Sequence, residues 1–248
     1  MRNIGRLAPA ATPATLKRSA LLRTTREAQR PSPSLFYLPG LTSKPFWDTS
    51  TFPWYSRLLE SQSAILSEYK MLSASKPSDY GTDEDHKLHE GTWAWHSLVT
   101  KGKVRGDAAL SCPITSEFLF SSVGEDLLTD VPFAYAFFST LHSNATISSH
   151  HGPCNIRLRC HLPLLVPEIN ENETTESLIG MKVGGKTVKW EIGKPLLFDD
   201  TYEHEVWNKT RNERVVLLFD VWHPDLSIAE RESIAAMFGE AKKQGWLS

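Results

Sequence analysis

Residues 156–162 read I-R-L-R-C-H-L, and this short alternation constrains the fold more than any other stretch of the chain. Side chains in a β-strand point alternately to opposite faces. Ile156, Leu158, Cys160 and Leu162 therefore share one face, and Arg157, Arg159 and His161 share the other. If the polar face meets solvent, this is a plain amphipathic strand of an antiparallel sheet. If it points into a barrel, the row needs anionic partners, because a buried charge is costly unless paired. Arginine grips a carboxylate through two parallel hydrogen bonds, so a dicarboxylic acid ligand suits the row.

The flanking sequence is strand-rich. Runs at 131–141, 156–166, 178–183, 186–192, 195–198 and 215–222 read as strands bounded by turn residues. Gly184-Gly185 joins two of them as a two-residue hairpin turn. Many short strands without alternating helices predict a mainly β fold, an antiparallel double sheet or barrel with flanking helices. One helix is expected over 53–74, where Trp54, Leu58, Leu59, Ile65, Leu66 and Tyr69 recur at helical spacing. Another is expected after Ser227, whose capping box with Glu230 satisfies free backbone donors; Ile228, Ile234, Met237 and Phe238 fall roughly on one face. Residues 75–90 are polar and charged and read as a loop, in which His86 and His89 receive no role.

Residues 1–34 form a distinct segment. Positions 1–33 carry seven Arg or Lys against the single acid Glu27, so the stretch reads as a disordered basic extension. An Arg-rich, acid-poor start also fits a mitochondrial transit segment; otherwise the expected compartment is the cytoplasm. Residues 35–248 are read as one folded domain. A formal net charge of -2, with no basic stripe beyond the N-terminus, points away from a nucleic-acid partner. No apolar run approaches the roughly 20 residues of a membrane span. Cys112, Cys154 and Cys160 lack paired spacing and read as free thiols.

Two histidine-bearing segments flank strands: S-H-H-G-P-C-N at 149–155, and F-D-D-T-Y-E-H-E-V-W at 198–207. Imidazole is the commonest side-chain metal ligand, and two such histidines can converge on one ion. Arg214 begins the run 215–222, one strand after His204, from where it can hold the far carboxylate of a ligand that chelates the metal. Asp199 and Asp200 are expected to shape a turn, His223 to close the last strand, and Trp207 and Trp222 to pack in the core.

Three strings, H-H-G-P-C-N-I-R-L-R-C-H-L at 150–162, W-E-I-G-K-P-L-L-F-D-D-T-Y-E-H-E-V-W at 190–207 and F-D-V-W-H-P-D-L at 219–226, resemble the aspartyl/asparaginyl β-hydroxylases in order and spacing. The resemblance implies a double-stranded β-helix, the jelly-roll form of the cupins, and a dioxygenase using Fe(II), 2-oxoglutarate and O2, with succinate and CO2 as co-products. It implies His150 and His204 as the iron ligands. The carboxylate that usually sits two residues after the first ligand is replaced by Gly152, as in this family. It implies Arg214, helped by Ser139, on the distal carboxylate of 2-oxoglutarate, with Arg159 and His161 near its other end. Arg157 is the candidate for gripping the carboxylate of a small-molecule or protein substrate. His151 offers a rival register, but the spacing to Gly152 and Asn155 favours His150. Two other readings stay open: a two-histidine halogenase in which chloride takes the vacant position, and a catalytically silent binding module.

Overall fold

The computed structural model describes residues 30–80, 88–169 and 178–245. In chain order its strands are β1 (Phe46–Trp47), β2 (His89–Glu90), β3 (Trp93–Thr100), β4 (Lys103–Val104), β5 (Ala136–Leu141) and β6 (Ala145–His150). There follow β7 (Arg157–Leu165), β8 (Ile179–Val183), β9 (Lys186–Val188), β10 (Leu196–Phe198), β11 (His204–Asn208) and β12 (Arg214–Trp222). They form a seven-stranded sheet in the order β1-β10-β7-β12-β5-β3-β4 and a five-stranded sheet in the order β2-β6-β11-β8-β9. All neighbours are antiparallel. This is the mainly β, antiparallel double sheet expected from the strand pattern, and the jelly roll that the family resemblance implies.

The alternation of β7 sets the layers. Leu158, Cys160, Leu162 and Leu164 lie on the outer face of the large sheet, with Leu217, Phe219 and Val221 of β12. Helix α1 (Tyr55–Ser75) covers that face with Leu58, Ile65, Tyr69 and Leu72. The helix ends where Lys76, extended at φ -127° and ψ 139°, precedes Pro77, since a residue before proline disfavours helical backbone. On the inner face, Phe137, Leu141, Val216 and Leu218 meet Ile147, Met181, Val183 and Val206 of the small sheet. The site is built within this inner layer.

Short helices α2 (Gly106–Ser111) and α3 (Pro113–Glu117), then a π turn over Phe118–Val123, cover the end of the large sheet. The strand-based reading did not anticipate them. Glu68 of α1 holds α3 in place by accepting from the Ile114 and Thr115 amides at 2.7 and 2.8 Å. The last helix, α4 (Ile228–Lys243), begins with the expected capping box, in which Ser227 and Glu230 each satisfy the other's backbone. Only Ile234 and Phe238 of its expected apolar face are buried; Ile228 and Met237 are exposed. Gly184 and Gly185 have φ of 55° and 80° and turn β8 into β9, the left-handed geometry that a two-residue hairpin requires.

Three boundaries differ from the expectation. His89 and Glu90, read as loop, pair with Ile147 and Thr146 as an edge strand. The strands Ala145–His150 and His204–Asn208, which end and begin on the two histidines, are absent from the expected runs. Residues 31–34, placed in the basic extension, are bonded to the domain: the Ser32 amide donates to Thr201 O at 2.8 Å and the Ser34 amide to Gly152 O at 3.1 Å. Residues 1–29 of that extension lie outside the described residues, as does His86. The three cysteines are buried and unpaired. Burial pushes the Cys112 and Cys154 thiols up to about 11 and about 12, which makes them unreactive. Among the described residues, no helix is long and apolar enough to cross a membrane.

Candidate active site

The two sheets bring His150 and His204 side by side. His150 is the last residue of β6, His204 is the first of β11, and they are direct partners in the ladder. Their rings lie 4.0 Å apart, tilted by 52°. Each ring is held by the carbonyl two residues earlier: His150 Nδ1 lies 2.7 Å from Ser148 O, and His204 Nδ1 lies 2.9 Å from Tyr202 O. A carbonyl only accepts, so each Nδ1 carries the proton and each Nε2 keeps its lone pair. Burial, and then the neighbouring His150, push His204 down to about 3; burial also lowers His150. Two neutral imidazoles with free Nε2 atoms side by side are a donor set for a metal cation. His151 is not part of it: it does not line the cavity that His150 and His204 share, and its Nδ1 is 2.9 Å from Thr201 O. Among the described residues, no group of three or more His, Cys, Asp or Glu could hold an ion.

Gly152 explains part of that. A Cβ built there would lie closer than 3.0 Å to the carboxyl carbon and both oxygens of Asp200. An aspartate or glutamate at 152 therefore has no room.

The same cavity is lined by Ser139, His161 and Arg214. Arg214 is 1% exposed, and among the described residues no carboxylate lies within salt-bridge distance of it. It stacks on Trp190, 4.6 Å from the ring centroid, and its contacts to Ser139 are long, 3.4 Å to O and 3.5 Å to Oγ. Burial alone brings the guanidinium down to about 9. Trp190 Nε1 donates to His161 Nδ1 at 3.4 Å, which leaves the His161 proton on Nε2, and burial lowers this imidazole well below its ordinary range. His161 Nε2 and Arg214 Nε are both buried without a partner. Unmet buried donors around an uncompensated cation call for an anion. The Ser139 hydroxyl is fixed by the Trp93 indole N–H at 2.9 Å.

The polar row of β7 divides. Arg159 and His161 line the cavity, whereas Arg157 does not. Arg157 is 2% exposed, and its guanidinium is engaged with Asp200 at 2.5 Å, Asp220 at 3.0 Å and the Phe133 carbonyl. The expectation that it grips a substrate carboxylate is corrected accordingly, because a ligand would have to pull it from two buried anions. Asp200 was expected to shape a turn. Asp199 does so, accepting from the Thr201 amide and hydroxyl at 3.0 and 2.6 Å. Asp200 instead pairs with Arg157 and Arg159, which hold its carboxyl well below the usual range against the cost of burial. His223 is structural as expected, with Nε2 2.9 Å from Thr42 O. Sequence reasoning missed Trp190 and Asp220. The signal for Asp220 was present: a single acid within the apolar run 215–222 is a buried charge in search of a partner.

The family model for aspartyl/asparaginyl beta-hydroxylase matches residues 59–224, more than half of the chain. The mouse protein named "Aspartyl/asparaginyl beta-hydroxylase" is 30% identical over 210 residues, which are 82% of this chain and 26% of that protein. "Ornithine lipid ester-linked acyl 2-hydroxylase" of Rhizobium tropici is 31% identical over 189 residues, 74% of this chain and 62% of the relative. The chain thus spans from about a quarter to under two thirds of these proteins' lengths. A solved 2OG-Fe(II) oxygenase family protein from Burkholderia pseudomallei aligns over 73% of this chain and 96% of its own, with 11% identity and a TM-score of 0.40. By the family match, the chain belongs to the aspartyl/asparaginyl β-hydroxylase family.

Proposed function

We propose that this chain is an Fe(II)- and 2-oxoglutarate-dependent dioxygenase that hydroxylates an aspartyl or asparaginyl residue, or a small acidic or amino-acid-derived metabolite. One observation carries the reading: a single cavity holds two histidines with free Nε2 atoms and an arginine that has no carboxylate within salt-bridge distance among the described residues. His150 and His204 would hold Fe(II) through Nε2. Arg214 would pair with the distal carboxylate of 2-oxoglutarate, with the Ser139 hydroxyl beside it. Arg159 and His161 would stand near the other end of 2-oxoglutarate. With 2-oxoglutarate and O2, bound iron supplies the oxidising chemistry, with succinate and CO2 as co-products.

The protein's own residues bind and orient. The carbonyls of Ser148 and Tyr202 keep both imidazoles in the ligating tautomer. The Trp190 face orients the Arg214 guanidinium, and the Trp93 indole N–H orients the Ser139 hydroxyl at the co-substrate end. The His161 Nε2–H supplies a neutral donor where a second cation would add repulsion with Arg214. The test is 2-oxoglutarate turnover to succinate under Fe(II), ascorbate and air. Metal-dependent succinate from the wild type, lost in His204→Ala, supports the proposal. No turnover, together with no metal or 2-oxoglutarate binding by a folded sample, would sink it in favour of a silent binding module. The product mass separates hydroxylation from halogenation.

A further inference from the structure

We infer that Asp220 is a positioning residue that sets the orientation of Arg159 in the cavity wall. The inference rests on the reading above for the identity of the ligand, 2-oxoglutarate, but its geometry stands on this chain alone. Asp220 lies in the second half of β12, in a strand buried along its whole length, and is itself 0% exposed. Its carboxylate is saturated. Arg159 donates through Nε to Oδ1 at 2.8 Å and through Nη2 to Oδ2 at 3.0 Å. Arg157 Nη1 donates to Oδ2 at 3.0 Å, and the Tyr135 amide does so at 3.1 Å.

The two bonds to Arg159 form a side-on fork that fixes both the position and the plane of the guanidinium. The remaining nitrogen, Nη1, is 3.5 Å from Asp200 Oδ2, too long for a good hydrogen bond. Of the four charged groups, Arg157, Asp200 and Asp220 have side chains exposed by 2% or less. Arg159 is exposed by 16%, and it alone of the two arginines lines the cavity with His150 and His204. Two arginines and two aspartates leave the cluster neutral, so it adds no net field to draw an anion. Stability alone gives weak reason for such a cluster, since well-packed apolar groups serve as well or better in a buried position. What the cluster does provide is one guanidinium held rigidly at the cavity wall. Arg157 serves as the sealed counter-cation to Asp200 and Asp220.

The test is a double-mutant cycle read by calorimetric titration of 2-oxoglutarate into protein loaded with Mn(II), which does not turn over. Asp220→Asn places amide N–H groups against guanidinium donors and is expected to weaken 2-oxoglutarate binding by about 10- to 100-fold, as is Arg159→Gln. Because the first acts through the second, the double variant should be no weaker than the worse single one; additive losses would overturn the inference. Should Asp220→Asn fail to fold, Arg159→Lys provides the same test. It keeps the charge but cannot form the fork, so it should lose as much affinity as Arg159→Gln, and wild-type affinity would overturn the inference. The Arg159 Nε–H resonance in nitrogen-edited NMR gives a readout independent of binding strength. It should be protected from exchange in the wild-type protein and should shift when 2-oxoglutarate is added; rapid exchange in the wild type would contradict the fork. Wild-type protein that binds Mn(II) but not 2-oxoglutarate would overturn the functional reading and this inference together.

Discussion

Replacing Arg214 with methionine should stabilise the ligand-free protein while removing its capacity for 2-oxoglutarate, two effects of opposite sign from one change. The guanidinium is buried against Trp190, its Nε has no partner and its bonds to Ser139 are long. Its fall from 12.5 to about 9, at about 1.4 kcal/mol per tenfold change, bounds the cost of holding the charge at roughly 5 kcal/mol. Methionine keeps most of the hydrocarbon stem and gives up the stacking of the cation on Trp190, worth about 1 kcal/mol. A net gain of about 1–4 kcal/mol follows, which in a domain of this size raises Tm by roughly 2–16 °C. The pH dependence has a definite sign. A cation with a lowered folded value binds fewer protons in the folded state, so the penalty is full below about 9 and fades as pH rises through it. The gap between variant and wild type should therefore narrow in alkali. In the same variant, calorimetric titration with 2-oxoglutarate and Mn(II) should show binding weakened at least about 100-fold, as expected on losing a buried charge-assisted pair. A variant that melts below the wild type and still binds 2-oxoglutarate with wild-type affinity would refute this reasoning.

Other substitutions and conditions test different parts of the structure. Gly152→Ala should lower stability by about 1–3 kcal/mol and weaken metal binding, because the new Cβ must displace an Asp200 carboxylate held by two arginines; differential scanning calorimetry with and without Mn(II) checks this, and an unchanged Tm would contradict it. Gly152→Asp should fail for the same reason to supply a third ligand, read as no gain in metal affinity. Burial lowers His150, His161, His204 and His223 from 6.5, so below that pH the unfolded chain takes up protons that the folded one refuses. Asp199, raised by burial to about 6, acts in the opposite direction, but the four histidines outnumber it, so unfolding takes up protons on balance near pH 5. Urea midpoints should fall steadily from pH 7 to pH 5; flat midpoints would contradict those shifts. Ser227→Ala, which removes half of the α4 capping box, should cost about 1 kcal/mol in chemical denaturation.

The parts of the fold legible in the sequence are those whose physics is local. The alternation at 156–162 marked β7 and its two faces, the paired glycines marked the β8–β9 turn, and Ser227 with Glu230 marked the start of α4. The strands carrying His150 and His204 were harder to see. Their composition, A-T-I-S-S-H and H-E-V-W-N, is half polar, and they owe their conformation to pairing with each other and with β8. Short helices at 106–117 were masked by turn residues. At the site, the polar row of β7 showed that anions were needed but not which ones. Two of its three members line the cavity, Arg157 is sealed away from it, and both arginines find anions within the chain, in Asp200 from the β10–β11 turn and Asp220 from β12. Pairing between residues 43 and 63 positions apart is a property of the folded chain, and no local pattern encodes it.

The most direct measurement is an anaerobic binding titration of Fe(II) and 2-oxoglutarate, comparing wild type with His150→Ala and His204→Ala, with folding verified for each by circular dichroism. The two-histidine site should take up one Fe(II) and one 2-oxoglutarate per chain in the wild type, with metal affinity sharply reduced in both variants. Wild-type stoichiometry and affinity in either folded variant would place the metal elsewhere and contradict the site described for this chain.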